Sequence, residues 1–259
     1  MAVTGSSSVF RGVGVALVTL FDRDGEVDAK ATAEHAAALV ELGVRAVLVA
    51  GSTGEATTLS VPERTELVRT VRATLPADIP VLAGTGAQSS RQAIELTRQA
   101  QDAGADAALV LSPPRVADPR DYYARLAKAV PDLPLLAYHF PAASLPGIDT
   151  DLLRELPVVG VKDSSGDPER LLVELATFTG DIYVGSAAVL SFAGPLGCPG
   201  AILALGNAYP ELCIRAFEGN ANAQRELTES HLTAKRTFPH GLKGLIAGRF
   251  GTSTAARID

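Results

Sequence analysis

Two stretches of the chain read almost alike: ELGVRAVLV at 41–49 and DAGADAALV at 102–110. In each, a run with helical spacing stops at a glycine, Gly43 or Gly104, and a short apolar run follows. A glycine just past a helix supplies the left-handed C′ position, and a continuous apolar run suits a strand buried on both faces. One helix–strand unit is therefore used repeatedly. Working outward, apolar runs recur at 13–21, 46–51, 81–86, 107–112, 133–140, 158–162, 182–186 and 201–207, eight in all. Segments with helical spacing lie between them, most clearly at 28–42, 62–75, 90–103, 119–130 and 168–178.

The punctuation agrees. Ser60-Val-Pro-Glu63 reads as a capping box. Asp118-Pro119 and Asp167-Pro168 read as an N-cap followed by proline in the first turn. Strands alternating with helices predict an α/β fold, a (β/α)8 TIM barrel. Strand one runs into LFDRDGEVD, not a Gly-rich dinucleotide turn, which argues against a doubly wound sheet. After Asn207 the pattern is helical at 210–218, 221–237 and 240–250. The expectation is a single domain over 1–259: a barrel at about 12–220 and a short C-terminal helical extension at about 221–250. The polar ending RFGTSTAARID is expected to fray.

Composition narrows the function classes. The chain has 259 residues, 47% of them hydrophobic, and a net charge of −6. That balance argues against a phosphate-backbone binder, so no nucleic-acid partner is expected. Two cysteines are too few for a disulfide scaffold and do not make a zinc knuckle. No apolar stretch is long enough to span a membrane, and the opening MAVTGSSSVFRGVG lacks signal-peptide regions, so the expectation is a cytoplasmic protein without a membrane partner.

A barrel of this kind builds its site at the C-terminal ends of its strands. Lys162 closes the apolar run 158–161. A lysine there points into a mouth walled by hydrocarbon, where burial lowers its pKa and leaves a neutral amine able to attack a ketone. Position alone fits equally well a lysine that snorkels to solvent. Other groups converge on the same rim. Tyr138, at the end of strand five, is placed to relay protons on and off a carbinolamine. Neighbouring His139 points the other way and reads as a packing residue. The turn Gly51-Ser-Thr-Gly-Glu55 offers two hydroxyls and successive backbone N–H groups to a carboxylate; Glu55 reads as structural, accepting N–H bonds within the turn.

At these residues the chain resembles the superfamily of dihydrodipicolinate synthase and N-acetylneuraminate lyase, class I Schiff-base pyruvate aldolases. The resemblance rests on GSTGE (51–55), YHFP (138–141), GVKDSSGD (160–167), GS (185–186) and GAILALGN (200–207), in order, and covers about 14–250. It implies Lys162 as the Schiff-base lysine and Tyr138 as the proton relay, assisted by Thr53. Ser52 and Thr53 would bind the pyruvate carboxylate, and Gly185 and Ile202 would line the pocket. It implies no metal and no organic cofactor. The implied partners are a 2-oxo acid and an aldehyde, and the implied assembly is a homodimer or homotetramer.

Two departures bear on the second substrate. The synthases carry an Arg shortly after the strand-five Tyr to grip the carboxylate of aspartate semialdehyde; here 141–147 reads PAASLPG. They also carry a Tyr after strand four; here 112–116 reads SPPRV, and Tyr122 and Tyr123 fall on the next helix. The favoured substrate class is accordingly a 2-keto-3-deoxy sugar acid or 4-hydroxy-2-oxoglutarate. The alternatives are a 4-hydroxy-tetrahydrodipicolinate synthase and a non-catalytic 2-oxo-acid-binding barrel. A metal-dependent aldolase is disfavoured because no two of the four histidines stand at i, i+2 or i, i+4; full activity in excess EDTA would remove it.

Overall fold

The computed structural model describes residues 8–258; the reading of the first seven residues as free of a signal peptide lies outside them. Eight parallel strands close a barrel in sequence order: β1 (Gly12–Ala16), β2 (Val47–Val49), β3 (Val81–Gly84), β4 (Ala107–Leu111), β5 (Leu135–His139), β6 (Gly160–Asp163), β7 (Asp181–Val184) and β8 (Gly200–Leu203). Each of the eight apolar runs overlaps one strand. The first run overshoots: from Leu17 onward it leaves the barrel as a loop, and Phe21 only bridges to Val27.

The connecting helices are α1 (Ala29–Glu41), α2 (Val61–Thr74), α3 (Ser90–Asp102), α4 (Arg120–Ala129), α5 (Thr150–Leu153), α6 (Pro168–Thr177), α7 (Leu190–Ala193) and α8 (Pro210–Phe217). Beyond them lie α9 (Ala221–Glu226), α10 (Thr228–Arg236) and α11 (His240–Phe250). The run 221–237 is thus two helices, broken at Leu227, and the one-turn helices α5 and α7 are too short to show a period.

Local chemistry explains the boundaries. Ser60 and Glu63 form the reciprocal capping box of α2. Asp167 accepts the N–H groups of Glu169 and Arg170 and so starts α6 beside β6. Gly43 and Gly104 take φ of 101° and 97°, the left-handed C′ positions that stop α1 and α3. The reading of Asp118 as the cap of α4 is off by one: Pro119 occupies the cap position, and Asp118 accepts the Arg120 N–H from outside.

Strand parity divides the core. Inside the barrel, Leu48, Leu82, Leu136, Tyr138, Tyr183 and Ile202 pack together. The alternate positions, such as Val47, Val49, Leu135, Ala137 and Val161, pack outward against the helices. Phe10 plugs the N-terminal end, stacked on Tyr183 at 4.6 Å, with burial worth about 2–3 kcal/mol. A Cβ at Gly14 would stand 2.9 Å from that ring. With one end filled, the C-terminal mouth is the end left to hold a site.

The segment after α11 does not fray. Arg257 and Ile258 donate their backbone N–H groups to Glu55, and the Arg257 guanidinium reaches Gly25, Thr58 and Glu63. Its polarity is what misleads: the partners are buried or half-buried polar groups of the barrel, which sequence periodicity does not reveal.

Candidate active site

A cavity of about 640 Å³ opens at the C-terminal mouth of the barrel. Ser52, Thr53, Tyr138, Lys162 and Gly185 all border it. Lys162 and Tyr138 are register partners on β5 and β6, so both point inward at the same level. The Lys162 Nζ sits 4.5 Å from the centre of the Tyr138 ring. Lys162 is 3% exposed, and among the described residues it forms no ion pair. Burial alone pulls its pKa down from 10.5 to about 7.

Gly185 makes room for that side chain. A Cβ there would meet Lys162 Cε at 2.9 Å and collide with the Ser164 hydroxyl. Only glycine lets β7 end this close to the lysine.

The Tyr138 ring stacks on Phe140 at 5.7 Å, and its hydroxyl meets that of Ser164 at 3.5 Å. Burial pushes the phenol pKa upward, against the opposing effect of hydrogen bonds from the Ser164 and Ser52 hydroxyls. The phenol therefore keeps its proton and can lend it.

Ser52–Gly54 forms a single 3-10 turn. Left-handed residues bracket it, Ala50 at φ 52° and Glu55 at φ 55°, each costing on the order of 1 kcal/mol. The N–H groups of Ser52 and Thr53 find no acceptor among the described residues. Two free N–H groups and two hydroxyls on one turn suit a carboxylate. The turn is pinned from below, where Thr19 donates to the Gly54 carbonyl at 2.7 Å.

Ile202 falls elsewhere. It packs inside the barrel with Leu136, Tyr138 and Tyr183 and does not border the cavity. His139 turns outward, as parity requires. Its Nδ1 accepts the Ile148 N–H at 2.9 Å, and burial, then Arg170, lowers its pKa to about 4. Glu55 is structural, but its partners are not in its own turn: they are Lys243 and the backbone of 257–258. Arg115 is exposed, with φ 63°, and does not border the cavity. Tyr122 and Tyr123 spend their hydroxyls on the backbone of Ala87 and Val110.

Sequence reading passed over the outer wall. Ser164, Ser165 and Asp167 line the cavity from the turn after β6, while His231, Ala234, Lys235 and Phe238 line it from α10 and its end. The last four stand at i, i+3, i+4 and i+7, one face of a helix. That spacing is the signal that could have found them, but the face carries two polar residues and does not read as apolar. Lys235 forms no ion pair among the described residues, and no arginine borders the cavity. His231 has its pKa lowered by burial and then by Lys235.

Comparison with known proteins agrees with this geometry. The profile of the dihydrodipicolinate synthetase family matches residues 9–243. The chain is 33% identical over 241 residues to a 4-hydroxy-tetrahydrodipicolinate synthase of Pseudomonas savastanoi pv. phaseolicola, covering 88% of this chain and 82% of that one. It is 36% identical over 220 residues to a synthase of the same name from Synechococcus, covering 76% and 73%. Among solved structures it resembles YagE, a prophage protein of the dihydrodipicolinic acid synthase family from E. coli K12 in complex with pyruvate, with a TM-score of 0.87 at 28% identity over 96% of this chain and 92% of that one.

Proposed function

The chain belongs to the dihydrodipicolinate synthetase family and is a carbon–carbon lyase of the class I aldolase type; from that premise we propose that Lys162 forms a Schiff base with pyruvate and that the resulting enamine condenses with a small anionic aldehyde. The observation that carries the reading is a buried lysine with no counter-ion among the described residues, facing a phenol across one strand pair.

The chemistry follows from the named groups. The neutral Lys162 amine adds to C2 of pyruvate while the Ser52–Thr53 turn holds the carboxylate. Tyr138 supplies a proton to the carbinolamine oxygen, water leaves, and the imine forms. Loss of a C3 proton gives the enamine, whose C3 attacks the aldehyde carbon. Hydrolysis of the new imine frees the product and returns the lysine. Run backwards, the same steps cleave the bond.

For the aldehyde, the curated relatives favour the alternative over the substrates favoured in sequence. Those compared here carry the name 4-hydroxy-tetrahydrodipicolinate synthase, and none speaks for a sugar acid. The stretch 141–147 still lacks an arginine. In its place Lys235 offers positive charge to an anionic group on the outer wall of the same cavity, beside His231, which burial and Lys235 hold towards the neutral form.

The test has two stages. Protein incubated with pyruvate, reduced with borohydride and digested should gain mass on the peptide holding Lys162; no adduct, or one on Lys243, would refute the Schiff base. Aspartate semialdehyde and a panel of sugar-derived aldehydes are then offered, without borohydride, to the unreduced protein with pyruvate. Faster turnover of a sugar-derived aldehyde would overturn the synthase reading and leave the imine standing.

A further inference from the structure

The Ser52–Thr53 turn faces the cavity, but what holds it lies behind the cavity wall. Glu55 is the residue on which the turn ends, in the left-handed conformation. Its side chain is fully buried and points away from the cavity wall, where one oxygen meets Lys243 Nζ at 2.6 Å. The other accepts the backbone N–H groups of Arg257 and Ile258 at 2.7 and 2.8 Å. Lys243 also donates to the Ala255 carbonyl at 2.5 Å. Phe21 lies between the two cations, 4.4 Å from Lys243 Nζ and 4.8 Å from the Arg257 guanidinium carbon. Helix α11, the segment 255–258 and the turn after β2 therefore meet on one carboxylate.

We infer that Lys243 and Arg257 are positioning residues for the carboxylate-binding turn: through Glu55 they fix the presentation of Ser52 and Thr53. The inference rests on the pyruvate reading above. A short turn bracketed by two left-handed non-glycine residues does not hold its shape unaided. Packing alone does not call for this arrangement either, because a buried ion pair can often be replaced by hydrocarbon without loss of stability. What hydrocarbon cannot do is seat a carboxylate between a cation and two backbone N–H groups, on a segment that the Arg257 guanidinium anchors to Gly25, Thr58 and Glu63, and that seat sets the backbone of Glu55. Thr53 stands two residues away, so a small displacement of Glu55 is delivered directly to the groups that would bind pyruvate.

The experiment compares Lys243→Met, Arg257→Ala and Ile246→Ala in the full chain. Ile246 is buried in the same helix and packs in a hydrophobic cluster with Leu20, Ala208 and Leu242 rather than on the Glu55 carboxylate, so it reports the effect of destabilising α11 alone. Three quantities are read: the pyruvate concentration giving half-maximal borohydride trapping on Lys162, the trapped amount at saturation, and Tm. Lys243→Met and Arg257→Ala should raise the half-saturating concentration roughly tenfold or more, the scale on which small misplacements of binding groups act. The trapped amount at saturation should be kept, because the amine is untouched. Ile246→Ala should lower Tm without moving half-saturation. Arg257 sits at the solvent edge, so its variant keeps the test alive if Lys243→Met does not fold. Unchanged half-saturation in a folded Arg257→Ala, or an equal rise in Ile246→Ala at matched Tm loss, overturns the positioning role. A parent chain that traps no pyruvate at any concentration overturns the pyruvate reading and this one with it.

Discussion

The rate of imine formation should follow the titration of Lys162, with a midpoint near pH 7. Burial is the sole cause that moves this amine, and it brings the pKa from 10.5 to about 7. At pH 7 about half of the protein then carries a neutral amine, whereas an ordinary lysine of pKa ~10.4 is neutral in roughly one molecule in 2,500. The buried position therefore multiplies the reactive fraction by on the order of 10³. Below pH 7 the rate should fall about tenfold per unit, and above about pH 8 it should level off. Tyr138 does not blur the profile, since its pKa is shifted upward. His139, held at about 4, stays neutral across the range. Glu174 titrates nearby, raised to about 8 by burial and then by Asp163, but it lies outside the barrel; Glu174→Gln should leave the midpoint in place. The assay mixes protein and pyruvate at fixed concentrations from pH 5 to 10, quenches timed samples with borohydride, and counts the Lys162 adduct by mass. A single midpoint above about pH 9, near the value of a solvated lysine, would refute the argument from burial.

Other outcomes follow from the same geometry. Tyr138→Phe should slow imine formation by roughly 10²–10⁴ with little change in Tm, because among the described residues the hydroxyl meets only the hydroxyls of Ser164, at 3.5 Å, and Ser52, and the ring stays; equal trapping rates would end the relay role. Lys235→Ala should raise KM for an anionic aldehyde roughly tenfold, the worth of one partly exposed charge contact, and leave pyruvate half-saturation alone; parallel rises in both would assign Lys235 to the fold instead. Lys162→Met should stabilise the fold. The folded pKa lies below the unfolded one, so the cost of the buried ammonium is fully present below pH 7, about 4–5 kcal/mol, and fades as pH rises towards 10. Urea unfolding at pH 6 and pH 10 should show the gain shrinking, and a gain independent of pH would contradict the assignment.

Much of this was legible in the sequence because barrel strands are apolar on both faces and stand out as continuous runs. The glycines at 43 and 104 and the caps at Ser60 and Asp167 then mark where each helix begins and ends. Lys162, Tyr138 and the Ser52–Thr53 turn were findable because strand ends in a barrel all face one mouth. Two kinds of residue were not. Ile202 points into the barrel but does not border the cavity, and depth within a barrel depends on stagger between strands, which a single strand does not encode. The α10 wall and the clamp on Glu55 are contacts between segments far apart in sequence; the helical spacing of the wall is masked by its two polar residues, and the clamp is made by polar groups with no period to betray them.

The same parity that placed Lys162 explains why its amine is neutral. Its neighbour Asp163 is a carboxylate one residue along the strand, and an inward carboxylate would stabilise the ammonium and undo the effect of burial. Alternation sends Asp163 to the outer face instead. There it binds Arg170 at 3.1 Å and accepts the Ser165 N–H at 2.6 Å. Arg170 also pairs with buried Glu174 at 2.8 Å, so the charges of this strand end answer one another outside the barrel. The network holds the turn that carries Ser164, whose hydroxyl meets Tyr138 inside. One strand thus separates two environments: a compensated polar cluster against the helices, and a buried lysine without an ion pair among the described residues in the barrel mouth. A single-residue slip of β6 would exchange Lys162 and Asp163, closing the mouth with a carboxylate and leaving no nucleophile. The register pair Tyr138–Lys162 is therefore the feature on which both the fold at this edge and the proposed chemistry depend.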